Sequence, residues 1–166
     1  MKDFKYIRDL DECRNLLNNL LKPEHLELSA SIKDLSNDIY YYFNIEQAKF
    51  LSNIGYNYFD GSDIFSNLKH RVLNYCPKCK YSTIKPISKL VINYPIKGAV
   101  LFTINLIDLT WIELLNIISK AYNFVYTNEI DFGIWGHNIG DLVLSKINIS
   151  QPIDEEVSYI ILTIDS

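Results

Sequence analysis

Residues 157–164 are largely apolar in both alternating phases, with Val157, Tyr159, Ile161 and Thr163 in one and Ser158, Ile160, Leu162 and Ile164 in the other. A strand that faces solvent on one side alternates cleanly. One that is apolar in both phases belongs where both faces are covered, at the centre of a sheet. The pattern ahead of it is consistent with such a sheet. Residues 89–94 (Leu90, Val91, Ile92) and 100–104 read as strands joined by the hairpin-like Pro95-Ile96-Lys97-Gly98. Thr110-x-x-Glu113 is a capping box, and it opens an amphipathic helix carried by Ile112, Leu115, Ile118 and Ala121. Residues 142–149 alternate through Leu142, Leu144, Ile147 and Ile149, with one break in phase.

The resulting order, ββαββ, is compatible with a β-grasp arrangement in which the last strand inserts beside the first. A ferredoxin-like or plain α+β sheet fits nearly as well. There is no glycine pair at the C-terminus, so a conjugable modifier is not indicated.

The first half reads as helices. Phe4, Ile7, Leu10, Leu17 and Leu21 recur at helical spacing, and Leu16 and Leu20 widen the stripe. Pro23 ends this helix by disfavouring helical geometry at Lys22. Leu28, Ile32, Leu35 and Ile39 suggest a second helix. Asn44 with Gln47 suggests the start of a third, with Gly55 as its stop. Ser62 is a good N-cap for a fourth, carrying Ile64, Phe65, Leu68, Val72 and Leu73. The expected fold class is therefore α+β, a helical N-terminal half (1–78) joined by a connection (79–87) to a ββαββ sheet region (88–166). The two regions could also form one continuous domain.

A hydrophobic content of 48% supports a real core and argues against disorder. With 12 Tyr and 8 Phe against 1 Met, that core is aromatic and aliphatic. The N-terminus lacks the apolar stretch of a signal peptide, and no apolar run reaches transmembrane length. Three cysteines are too few and odd in number for a disulfide framework. These features together point to the cytoplasm. The abundance of Lys, Ile, Asn and Tyr suggests an AT-rich genome and so a virus, phage or low-GC microbe, with the host cytoplasm as the compartment if viral.

The net charge of −4 is unevenly spread. Residues 64–107 hold no Asp or Glu, yet carry Lys69, Arg71, Lys78, Lys80, Lys85, Lys89 and Lys97. Interleaved with Tyr75 and Tyr81, Lys69, Arg71, Lys78, Lys80, Lys85 and Lys89 could hold phosphates while the rings stack on bases. Arginine is scarce, however, and bidentate base reading favours arginine. The simpler use of this stretch is structural, as a positive band between two acidic halves.

Within it lies Cys76-Pro77-Lys78-Cys79, the spacing at which two thiolates can face one zinc ion. His70 is the nearest further ligand and Cys13 another that the fold could supply. No second such pair exists, so two ordinary thiols at a turn is the leading reading and no cofactor is expected.

Two aromatic features suggest contact surfaces. Tyr40-Tyr41-Tyr42-Phe43 cannot all face inward from a helix, because successive residues are about 100° apart. Residues 132–140 combine Gly133, Gly136 and Gly140 with Trp135 and His137. They are read either as a binding loop with Trp135 and His137 as contacts or as a structural loop in which Trp135 plugs one end of the sheet, and the structural reading leads. No nucleophile elbow, zinc-protease, Walker or kinase motif is present.

The expected function is that of a non-enzymatic accessory factor binding a protein partner through aromatic and charged surface. The contacts would come from Tyr40, Tyr41, Trp135, His137 and the basic residues. The alternatives are a nucleic-acid- or nucleotide-binding module, with or without zinc on His70, Cys76 and Cys79, and a small enzyme. Neither a membrane partner nor an oligomeric state is indicated.

Overall fold

The structure, a computed structural model, describes residues 3–22, 26–31, 35, 43–45, 68–75, 84–128 and 131–166. Among these residues the chain forms β1 (Phe4–Ile7), α1 (Leu10–Leu20), β2 (Leu26–Ser31), β3 (Phe43–Asn44), β4 (Ile87–Ile92), β5 (Ala99–Asn105), α2 (Trp111–Thr127), β6 (Val143–Gln151) and β7 (Ser158–Asp165).

The strands make one sheet in the order β1-β5-β4-β7-β6-β2, and the short β3 also pairs with β6. All pairings are antiparallel except β4 with β7, which run parallel at the centre with Leu90 opposite Ile160. β7 is covered on both sides: Ile160, Leu162 and Ile164 pack into the larger core with α2, and Tyr159 and Ile161 into a smaller cluster with α1.

Helix α2 is fixed locally before it is packed. Glu113 N–H donates to Thr110 Oγ1 at 3.2 Å and Thr110 N–H donates to Glu113 Oε2 at 3.4 Å. Such a cap contributes about 1 kcal/mol. Trp111, Ile112, Leu114, Leu115, Ile118, Ala121, Tyr122 and Val125 are then buried over the sheet. In β6 the register shifts between Leu144 and Lys146, and this bulge is the break in alternation seen in the sequence.

The expected helical N-terminal half is overturned. Its strands β1, β2 and β3 belong to the same sheet as the later strands, and beyond α1 the described residues Leu35 and Ile45 are also helical. Residues 4–7 do not begin the first helix. They alternate as a strand, sending Phe4 and Tyr6 to the α2 side and Ile7 to the α1 side. Phe4 meets the Phe124 ring at 5.0 Å and Tyr6 meets Phe132 at 4.9 Å. The helix starts only where Asp9 caps it, accepting from Asp11 N–H at 2.8 Å and Glu12 N–H at 3.3 Å.

Where the second helix was expected, residues 26–31 are strand. Leu28 and Ala30 stand opposite Ile149 and Ile147 and share their core, whereas Leu35 is helical and residues 32–34 and 36–42 lie outside the described residues. Where the third was expected, Phe43 and Asn44 pair with Leu144 and Val143, Ile45 directly after them is helical, and residues 46–55 lie outside the described residues. Of the fourth, residues 68–75 hold a short 3-10 turn at Val72–Asn74. Leu68 and Val72 are buried there, and Val72 N–H donates to Leu109 O at 2.7 Å. This segment is laced to the entry of α2, and residues 62–67 of the expected helix lie outside the described residues.

Candidate functional site

The loop from 131 to 142 is built from the chain's own turn chemistry. Asp131 Oδ1 accepts from Gly133 N–H at 2.8 Å, closing a local turn. Gly133 has φ 67°, and a Cβ there would stand 3.0 Å from the Lys97 stem. Two backbone bonds stitch the loop to the β4–β5 connection: Lys97 N–H to Phe132 O at 3.1 Å, and Trp135 N–H to Pro95 O at 2.9 Å. Tyr126 adds a third tie, its hydroxyl donating to His137 O at 2.9 Å. The buried aromatic of the loop is Phe132, whereas Trp135 stays 48% exposed.

Trp135 stands edge-on to Tyr94 at 5.4 Å, and His137 lies 5.8 Å from the same ring. Tyr94 OH and Ser166 Oγ share a hydrogen bond of 2.7 Å, and Ser166 Oγ lies 3.3 Å from His137 Nε2. Among the described residues no carboxylate is hydrogen-bonded to His137.

Helix α1 faces this loop across a groove of about 550 Å³, lined by Leu10, Cys13, Arg14, Leu17, Asn18 and Leu21 on the helix side, and by Asn93, Ile96, Lys97, Gly98 and Trp135 on the other. The wide apolar stripe of α1 explains how the groove arises. Cys13, Leu16, Leu17 and Leu20 turn into the sheet. Leu10 and Leu21 remain outside at 57% and 62% exposure. The Cys13 thiol is buried, and that burial, aided by the Glu12 charge, pushes its pKa up. The groove therefore offers apolar contact and two cations, Arg14 and Lys97.

The expected basic surface does not assemble among the described residues. Arg71 pairs with Asp108 beside the start of α2, and its backbone bridges Thr110. Lys89 lies on the other side of the sheet, where its Nζ donates to Thr103 Oγ1 at 2.7 Å, in a shallow depression shared with Asp3 and Lys5. Lys69 and Lys85 are exposed, and Lys85 N–H donates to Gln151 Oε1. Tyr40, Tyr41, Lys78 and Lys80 lie outside the described residues, as do Cys76 and Cys79 of the expected metal site. His70 stacks on Tyr75 at 5.9 Å, and no group of three or more His, Cys, Asp or Glu gathers among the described residues. No described helix is long and apolar enough to cross a membrane.

Sequence reasoning singled out Trp135 but missed Leu10, Arg14, Leu21 and Lys97. The available signal was an α1 stripe wider than one sheet contact can bury. Compared with models of protein families, with curated proteins and with solved structures, the chain matches none significantly.

Proposed function

We propose that the protein is a non-enzymatic interaction protein that docks a protein partner in the groove between α1 and the Trp135 loop. The observation that carries this reading is the set of large apolar side chains left in solvent there: Leu10, Leu21 and Trp135, with Ile134 adjacent at 37% exposure. Scattered exposed leucines need no explanation, but their convergence on one concavity with a half-exposed tryptophan marks a contact surface. The loop holding Trp135 is already fixed by backbone bonds, so little ordering opposes binding. Arg71, beside the start of α2, and Lys89, on the α1 side of the sheet, are not on one surface, which favours a protein partner over a nucleic-acid backbone.

The test is selection of a random peptide display library on the immobilised protein, with a Trp135→Ala, Leu21→Ser double variant as counter-target. Peptides that bind the parent and lose the variant are expected. A selection that enriches nothing sensitive to these two residues overturns the proposal. Both side chains are substantially exposed, so the variant should keep its fold, and its circular dichroism and thermal midpoint check that it does.

A further inference from the structure

We infer that the segment the groove receives is an acidic amphipathic helix of the partner, an inference that rests on the docking reading above. Leu10, Arg14, Leu17 and Leu21 line the groove at i, i+4, i+7 and i+11 along α1 and its C-cap. That spacing forms one stripe along a helical surface, the seam against which a second helix packs its own side chains. The opposite wall, Ile96, Lys97 and Trp135, belongs to the β4–β5 connection and the loop stitched to it. A helix lying along α1 would place one side chain row between the α1 stripe and the Trp135 ring.

Charge selects the sign of that helix. Among the described residues lining the groove, Arg14 and Lys97 are charged and none is Asp or Glu. The protein as a whole is −4, so this is a local positive site on an acidic molecule. The two cations can be recruited at low cost. The Lys97 methylenes rest on Gly133, the glycine leaving the space they occupy. Arg14 is paired with Asp11 at 3.4 Å, but the two side chains are 69% and 85% exposed, and a solvent-facing pair of this kind contributes little and exchanges readily. A partner carboxylate that is partly desolvated against the Trp135 side would compete well for Arg14.

The peptides enriched in the selection provide the probe, with an Arg14→Glu, Lys97→Glu variant added. The inference expects them to carry net negative charge and apolar residues at helical spacing, and to gain helical circular dichroism on binding. It also expects affinity roughly tenfold or more lower on the charge-reversed variant and falling with salt. Peptides that lose the Trp135→Ala, Leu21→Ser variant but are neutral, basic or extended when bound overturn the acidic helix and leave the docking reading standing. Peptides indifferent to both variants overturn both. Sedimentation showing a dimer of the parent that Leu21→Ser dissociates would make a second copy of this chain the occupant, and would also overturn the inference.

Discussion

Ser150 Oγ donates a hydrogen bond of 3.0 Å to the backbone carbonyl of Leu20, 130 residues earlier in the chain. The carbonyls of a helix's last turn have no partner within the helix. Here strand β6 supplies one, and both residues are buried, Leu20 at 2% and Ser150 at 3% exposure. The bond fixes the end of α1 over the sheet, and with it the helix wall of the groove. Ser150→Ala leaves a buried carbonyl unpaired, which costs about 1–3 kcal/mol. Urea denaturation should show a loss in that range, and hydrogen exchange should speed most in the last turn of α1. Unchanged exchange there would remove the bond from any role in placing the helix.

How far the fold could be read in advance follows from how local each signal is. The capping box of Thr110 and Glu113, the two-phase strand around Ile160 and the phase break before Lys146 all lie within a few residues, and each corresponds to a feature of the structure. The N-terminal half misled because Phe4, Ile7 and Leu10 satisfy a helical period across a strand, a cap and a helix start. Four residues of β1 are too few for period two to show by itself. The groove was hidden for a different reason. Lys97 lies far along the chain from α1, and only the pairing of β1 with β5 brings the β4–β5 turn beside Leu10 and Arg14. Leu10 and Leu21 looked like core because spacing reports a helical face and not what covers it.

Gly98 joins that turn to the sheet edge and should be the least replaceable residue of the region. Its φ is 91°, and a Cβ placed on it would stand 2.0 Å from the Ile7 carbonyl oxygen, a backbone atom with nowhere to move. Gly98→Ala therefore combines left-handed strain, about 1–3 kcal/mol, with separation of β1 from β5. The expected outcome is a loss of more than about 2 kcal/mol in chemical denaturation, with Phe4 and Tyr6 leaving the Phe102–Phe124–Phe132 cluster. A variant within about 0.5 kcal/mol of the parent would show that β1 does not lie where it is described.

The two tryptophans report on opposite environments. Trp111 is fully buried at the start of α2, and Trp135 is 48% exposed. Emission should therefore contain a blue-shifted part inaccessible to acrylamide and a red-shifted part that acrylamide quenches. Trp135→Phe should abolish the quenchable part and leave the blue one, with little change in stability. Peptides bound in the groove should protect the same red-shifted part. Equal quenching before and after the substitution would place Trp135 inside the fold and remove the groove's principal contact.

Alkaline pH tests the α1 side of the core through Tyr159. Its side chain is 7% exposed and its hydroxyl donates to Glu155 Oε1 at 3.0 Å. Burial first, then the hydrogen bond and charge of Glu155, push its pKa from 10.0 up to about 12. The folded chain thus holds a proton that the unfolded chain has already released between those two values. The stabilising contribution is complete below pH 10.0 and is lost as the pH rises through about 12. Denaturation midpoints should fall across that interval. In Tyr159→Phe the fall should be shallower, although it does not vanish because burial also pushes Tyr122 upward. At neutral pH the variant should lose about 1 kcal/mol, from the missing hydrogen bond. Parallel pH profiles for parent and variant would mean that Tyr159 keeps the same proton affinity folded and unfolded, and hence that α1 does not seal this face of the sheet.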